Sequence, residues 1–275
     1  MLPNFLVIGA ARCGTTSICD LLGSHPDVFM SDPKEPRFFS HMNDELRTRD
    51  WYESLFANVT TESAVGEGST GYTHPDVIAI TAERIRETIP ACRLIYMVRN
   101  PITRLESDWR MRMHEGWTPA SISEAALEQT SLVRHGLYWE NLNVYRRFFP
   151  DDRILVVFLE DFVADPQSAL ARCFTHIGVD ATVAIDDASR PRNRAADYRR
   201  DTLIASRIRQ WRYFHRLKDA CPSGVVKVVE RILTKEEQFV PDWQPAVRQR
   251  VIDEMSGDAT RFLSHCGKPP AFWNL

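Results

Sequence analysis

An apolar run that ends in glycine, passes through a second glycine and a row of hydroxyls, and enters an amphipathic segment is the strongest constraint in this sequence. Residues 4 to 9 read NFLVIG, residues 9 to 17 GAARCGTTS, and residues 15 to 22 TTSICDLL. The first run is uninterrupted by polar residues after Asn4, which suits a strand buried on both faces of a parallel sheet. The third carries Ile18, Leu21 and Leu22 at helical spacing and stops before Gly23 and Pro26, so it predicts a helix over 15–22. A glycine-bearing turn from a buried strand into a helix is an anion cradle. Gly9 and Gly14 permit close backbone approach, and the first helical turn leaves amides unsatisfied. Arg12, Thr15, Thr16 and Ser17 add side-chain donors.

The same alternation recurs. Residues 93 to 98 (RLIYMV) and 153 to 158 (RILVVF) predict further buried strands, and helices are expected over 76–88, from Pro101 to about 113, and over 121–130, 138–148 and 166–177. Residues 34 to 39 (KEPRFF) form a proline-interrupted loop, and 48–56 a short amphipathic segment. Residues 187–200 are a polar, Arg-rich irregular loop, and 224–233 and 245–264 are helical. Strands alternating with helices imply an α/β fold, a central parallel sheet with helices on both faces, here as one domain over 1–275. Within it, residues 1–180 carry the strand–helix alternation and 181–275 the Arg-rich loop and helical remainder.

Composition narrows the function classes. The 34 Lys+Arg residues against 37 Asp+Glu give a net charge of −3, so no global basic field points to nucleic acid or a membrane surface, and an anion site must be local. The sequence shows no secretory leader and no apolar stretch of the roughly 20 residues needed to span a bilayer, so a cytoplasmic protein without a membrane span is expected. The six cysteines, Cys13, Cys19, Cys92, Cys173, Cys221 and Cys266, form no CxxC pair and read as reduced, mostly buried small hydrophobes.

The spacing Gly9, four residues, Gly14 matches the opening of a Walker A loop, but Thr15 stands where that motif requires lysine. The basic residue, Arg12, lies inside the loop instead. A second anchor follows the second predicted strand in VRNPITRLESDW (98–109), with Arg99 at the strand's carboxyl end and Ser107 eight residues on, two turns into the following helix. Open α/β sheets bind ligands at the carboxyl ends of their strands, so both anchors face one crevice. The structural alternative pairs Arg99 with Glu106 or Asp108.

Taken together, GAARCGTTS between strand and helix, KEPRFF, and VRNP with a serine eight residues after the arginine resemble the sulfotransferases that use 3′-phosphoadenosine 5′-phosphosulfate (PAPS). The likeness extends through WYESLF (51–56), GEGSTGY (66–72), residues 135–162 and 166–179, covering roughly residues 4–180, and is nearest to bacterial small-molecule enzymes and glycan sulfotransferases. The resemblance implies a P-loop-kinase-like fold and sulfuryl transfer from PAPS to an acceptor hydroxyl or amine, with release of adenosine 3′,5′-bisphosphate and no metal. It implies that Arg12, Cys13, Gly14, Thr15, Thr16 and Ser17 hold the 5′-phosphosulfate, and that Arg99 and Ser107 hold the 3′-phosphate. Arg12 and Glu35 are then the catalytic pair, Arg12 stabilising the leaving phosphate and Glu35 serving as base, with His41 and His74 as rival bases.

Two departures stand out. Arg12 replaces the loop lysine that most members carry, and Gly68 falls where glycan sulfotransferases often have a second lysine. The second weakens a glycan assignment, so the acceptor is expected to be a natural-product, lipid or sugar hydroxyl. Trp51, Tyr52, Trp117, Tyr138, Trp139 and Trp211 are the aromatic candidates for its pocket wall. The competing readings are an ATP- and Mg²⁺-dependent kinase and a non-catalytic nucleotide-binding protein.

Overall fold

The structure, a computed structural model, describes residues 1–41, 47–117, 120–185 and 239–275, with the backbone of an antiparallel pair, Arg200–Asp201 and Thr234–Lys235. The Arg-rich loop at 187–200, save Arg200 in that pair, the 224–233 segment, Cys221 and Trp211 lie outside the described residues.

Five strands form one parallel sheet in the order β2-β3-β1-β4-β5: β1 Phe5–Gly9, β2 Val28–Met30, β3 Ala64–Gly68, β4 Arg93–Val98 and β5 Ile154–Phe158. β1 and β3 are buried along their whole length, and so is β4 after Arg93, as expected of strands covered on both faces. The side chains of β4 show how the two faces are filled. Tyr96 turns its ring to Tyr138 of α7 (Tyr138–Arg146), with centroids 6.1 Å apart. Its neighbour Met97 points the opposite way, toward Gly14 at the start of α1 (Thr15–Leu22). α1 packs on α9 (Pro166–Ile177) in one layer, and α7 packs between α3 (Ile78–Thr88) and α10 (Pro245–His265) in the other. A smaller apolar cluster joins Ile102, Leu105 and Trp109 of α4 (Pro101–His114) to Leu132, Val251 and Met255.

Local chemistry sets the helix ends. Asn100 caps α4, its Oδ1 accepting from the amides of Ile102 and Thr103, with Pro101 at the first position. Asp165 and Pro166 open α9, and left-handed Gly178 closes it. The single helix expected over 121–130 is two: α5 (Ile122–Glu128), opened by a Ser121/Glu124 capping box, and α6 (Thr130–Arg134), with Gln129 leaving helical geometry between them. α2 (Arg49–Ser54) is the amphipathic segment, capped by Thr48, and α8 (Leu159–Ala164) follows β5.

Two strands escaped the sequence reading, β2 and β3. β3 is AVGEG, and both of its glycines are required by crossing side chains. A Cβ on Gly66 would lie 2.2 Å from the Phe5 ring, and one on Gly68 would lie 2.5 Å from Cys19 Sγ. The strand therefore lacks the β-branched pattern that marks β4 and β5.

Between these glycines sits Glu67, fully buried. Its carboxylate accepts from the hydroxyls of Tyr72 (2.5 Å), Ser69 (2.9 Å) and Tyr52 (3.3 Å). Burial pushes its carboxyl up to about 7 despite those three donors, and the nearby Glu35 charge adds to the rise. A carboxyl whose value is higher folded than unfolded binds its proton more tightly in the native state. The stability it contributes is present below about 4.5 and is lost as pH rises through about 7. Glu67→Gln, which cannot ionise, is therefore expected to gain stability relative to the wild type between pH 5 and pH 8, by roughly 2–3 kcal/mol. Urea unfolding at both pH values tests this, and a difference that does not change with pH would refute it.

Candidate active site

The carboxyl ends of β1, β3 and β4 open into one crevice. From β1 the chain makes the turn Gly9–Gly14 into α1. Arg12 and Gly14 both adopt left-handed backbone, with φ of 68° and 83°. The amides of Gly14, Thr15, Thr16 and Ser17 have no backbone acceptor among the described residues, and Gly14 gives the helix no side-chain cap, so four donors point outward. The amide of Cys13 does not join them. It donates to the Ala10 carbonyl (3.2 Å), and its thiol is buried against the Tyr138 hydroxyl (3.5 Å), where burial raises it to about 11. Cys13 thus shapes the turn rather than offering a donor.

The two anchors meet directly: Arg12 Nε donates to Ser107 Oγ at 3.1 Å, across 95 residues of sequence. Ser107 is buried on α4. Arg99, at the end of β4, makes no ion pair among the described residues, because the carboxylates that compete for it are engaged elsewhere. Asp108 holds Arg104 (3.1 Å) and Arg112 (3.4 Å), while Glu106 takes the Arg110 guanidinium (3.7 Å) and the Trp243 indole N–H (3.1 Å). Burial alone would raise the Asp108 carboxyl, yet His135 and the two guanidiniums hold it well below the usual carboxylate range. Behind Arg99, the Asn100 amide donates to Glu160 Oε1 at 2.7 Å and its side-chain amide donates to the Trp273 carbonyl, which fixes the turn that aims Arg99.

The KEPRFF loop closes the third side. Glu35 and Arg37 have φ of 62° and 54°. The loop is gripped by the end of β3. The Glu35 amide donates to the Gly68 carbonyl (3.1 Å), and the Arg37 amide donates to Ser69 Oγ (3.0 Å), which in turn donates to Glu67. The Glu35 carboxylate accepts from the Thr70 amide (3.0 Å) and hydroxyl (2.9 Å), from Arg37 Nε (3.3 Å) and from Lys34 Nζ (3.4 Å). Lys34 also donates to Thr16 Oγ1 at 3.1 Å, joining this loop to the first turn of α1. Phe38 and Phe39 anchor the loop's far end in the core, Phe38 stacked on Tyr52 at 4.2 Å.

The rival bases are placed differently. His41 is exposed, with its Nδ1 bonded to Ser40 Oγ. His74 is turned edge-on to His135 at 4.8 Å, and its Nδ1 accepts from the Asp76 amide. Of the aromatic candidates, Tyr52 and Tyr138 are core residues bonded to Glu67 and Cys13 rather than pocket walls, and Trp51 packs on the main core. Trp139 is partly buried and Trp117 is exposed. Three residues of the site were not singled out from the sequence: Lys34, Glu67 and Thr70. Their signal was the adjacency of Lys34 to Glu35 and the polar triplet Glu67, Ser69 and Thr70 in a glycine-rich stretch.

The comparisons with known proteins bear on the family and the fold. The chain matches the sulfotransferase domain family over residues 2–222. It is 31% identical over 191 residues to human heparan sulfate glucosamine 3-O-sulfotransferase 6, covering 66% of this chain and 54% of that protein. It is 26% identical over 200 residues to human bifunctional heparan sulfate N-deacetylase/N-sulfotransferase 3, covering 65% of this chain and 22% of that protein. The chain thus spans about half the length, or less, of these relatives. Among solved structures, the sulfotransferase from Alicyclobacillus acidocaldarius superposes with a TM-score of 0.71 at 21% identity, covering 100% of both chains. The sulfotransferase domain from the curacin biosynthetic pathway gives 0.53 at 16% identity, covering 93% of this chain and 98% of that one, and both likenesses concern the fold. With a family match across most of its length and the strand, cradle and paired anchors in place, the chain belongs to the sulfotransferase family.

Proposed function

We propose that this protein transfers the sulfuryl group of PAPS to a hydroxyl or amine of a small-molecule, lipid or sugar acceptor, releasing adenosine 3′,5′-bisphosphate. The observation that carries the reading is the Arg12–Ser107 hydrogen bond, which brings the phosphate cradle and the second anchor within reach of one ligand that is anionic at both ends. A nucleotide phosphorylated at 5′ and 3′ is such a ligand, and a kinase substrate with its phosphates in a single row is not. The loop itself lacks the Walker lysine, which speaks against the ATP-dependent alternative.

In this reading the amides of Gly14–Ser17 and the hydroxyls of Thr15, Thr16 and Ser17 seat the 5′-phosphosulfate, while Arg99 and Ser107 hold the 3′-phosphate. The acceptor oxygen or nitrogen attacks sulfur as the bond from sulfur to the bridging oxygen breaks. Its proton passes to the Glu35 carboxylate, and the charge left on the phosphate is met by Arg12 and the helix amides. Arginine stays protonated throughout, so Arg12 acts as a fixed charge and not as an acid. Residues 1–180 supply nucleotide binding, and 181–275 belong to the same domain. A natural-product or lipid acceptor agrees with the near-neutral charge of the chain, and heparan sulfate is the acceptor class named for its relatives. Among the described residues no helix is long and apolar enough to cross a membrane.

Calorimetry with adenosine 3′,5′-bisphosphate in the absence of metal is expected to show binding much tighter than that of 5′-AMP. Arg99→Ala is expected to cost about 1.5–3 kcal/mol in that binding, the range for a charge-assisted contact. Equal affinity for the two nucleotides would remove the 3′-phosphate assignment.

Once an acceptor is found by screening with labelled PAPS, Glu35→Gln is expected to lower kcat by roughly 100-fold to 10,000-fold with nucleotide affinity little changed, and His41→Ala is expected to be mild. A nearly wild-type Glu35→Gln enzyme beside an inactive His41→Ala enzyme would move the base to His41.

A further inference from the structure

We propose that Lys34 binds the sulfuryl group of the donor, supplying on the acceptor side of the cradle a second positive charge beside the one that Arg12 supplies on the phosphate side. The inference rests on the PAPS reading above and assigns a residue that reading leaves without a role.

Three observations carry it. First, Lys34 Nζ stands between the cradle and the base, 3.1 Å from Thr16 Oγ1 and 3.4 Å from Glu35 Oε1. A group moving from a phosphate seated at α1 to an acceptor held at Glu35 must pass that gap. Second, Arg12 gives its Nε to Ser107, which ties its guanidinium to the phosphate side of the cradle, next to the second anchor. Third, position 68 is closed to a side chain, because a Cβ there would meet Cys19 Sγ at 2.5 Å and Val7 Cβ at 3.6 Å. A second cation for the sulfuryl oxygens is therefore supplied from the loop and not from position 68.

Arg37 is the other cation on that loop, but it bonds the opposite Glu35 oxygen, Oε2, and its side chain lies beside Gly71. Lys34 is suited to the task chemically as well. An ammonium has three N–H donors, and Thr16 and Glu35 take two, which leaves one for an incoming oxygen. Its side chain is 30% exposed and its ammonium is positioned by two bonds. A sulfuryl group carries a single delocalised negative charge, and one compact, reorientable ammonium can follow its oxygens as they move from one side of sulfur to the other.

The test uses two probes that differ only in the sulfuryl group, PAPS and adenosine 3′,5′-bisphosphate, titrated calorimetrically without acceptor against wild type, Lys34→Met, Lys34→Gln and Lys34→Arg. The expected result is that Lys34→Met weakens PAPS roughly 10-fold to 100-fold while adenosine 3′,5′-bisphosphate changes by less than about threefold. Lys34→Gln, which can still bond Thr16, is expected to lose the same selectivity, and Lys34→Arg to restore part of it. Equal weakening of both nucleotides would make Lys34 a support for the loop and overturn the proposal, as would unchanged affinity for both. Wild-type protein that binds neither nucleotide would instead overturn the PAPS reading itself, so the two failures are distinguishable.

Discussion

The site depends on how the end of β3 grips the KEPRFF loop. A loop that carries its functional carboxylate at positive φ has no secondary structure to define it, so its geometry must come from outside. Here the carbonyl of Gly68, the hydroxyl of Ser69, and the amide and hydroxyl of Thr70 take successive groups of the loop, and Glu67 holds Ser69 from below. Glu67 can do this only because β3 is central in the sheet and covered on both faces. Burial keeps water from competing for its oxygens, and Tyr52 and Tyr72 both donate to Oε1 while Ser69 donates to Oε2. Those same tyrosines pack on Phe38 and Phe39, so the apolar end of the loop and its polar end are fixed to one cluster. The cost of an unpaired polar group in such a place, about 1–3 kcal/mol, makes this a cooperative arrangement in which the loop, the strand end and the tyrosines keep one another in register.

How much of this was legible in the sequence follows from which physical signal each element carries. β4 and α9 lie where the sequence placed them, at 93–98 and 166–177, and α1 over 15–22. Continuous apolar runs, a helix-opening proline and a closing glycine are local signals that need no tertiary partner. β2 and β3 are different. β2 has three residues, and β3 spends two of its five on glycines that admit Phe5 and Cys19. Those glycines are explained only by residues that cross from other elements, so no window of the sequence announces a strand there. Likewise, the break at Gln129 divides α5 from α6 through a backbone turn that helical periodicity passes over.

The proposed binding residues divide the same way. Arg12, Gly14–Ser17 and Arg99 were readable because they sit in a strand-to-helix turn, a first helical turn or at a strand end, where the fold class favours an anion site, and Ser107, two turns into α4, was readable from its spacing after Arg99. The meeting of Arg12 with Ser107 also follows from topology, since β1 and β4 are neighbours and their carboxyl ends lie side by side. Cys13 fell outside the donor set for a reason below that level of description, a single turn bond to Ala10. Lys34 and Thr70 were not singled out because their bonds reach partners 18 and 35 residues away, Thr16 and Glu35, and the adjacency of Lys34 to Glu35 and the polar stretch around Thr70 are local signals that do not reveal those partners.

Among the described residues, the non-glycine residues with positive φ are Arg12, Glu35 and Arg37, and all three are charged. Left-handed backbone costs an ordinary residue roughly 1–2 kcal/mol, so each must be held by something. Glu35 and Arg37 are held through their amides by Gly68 and Ser69, and Arg12 by its side-chain bond to Ser107. Glycine at any of the three would relieve the strain but would remove the charge. The strain therefore marks where a charged side chain and a tight turn are both required at one position. The supporting bonds all lie within the protein itself, so the cost of orienting these charged groups is met in folding.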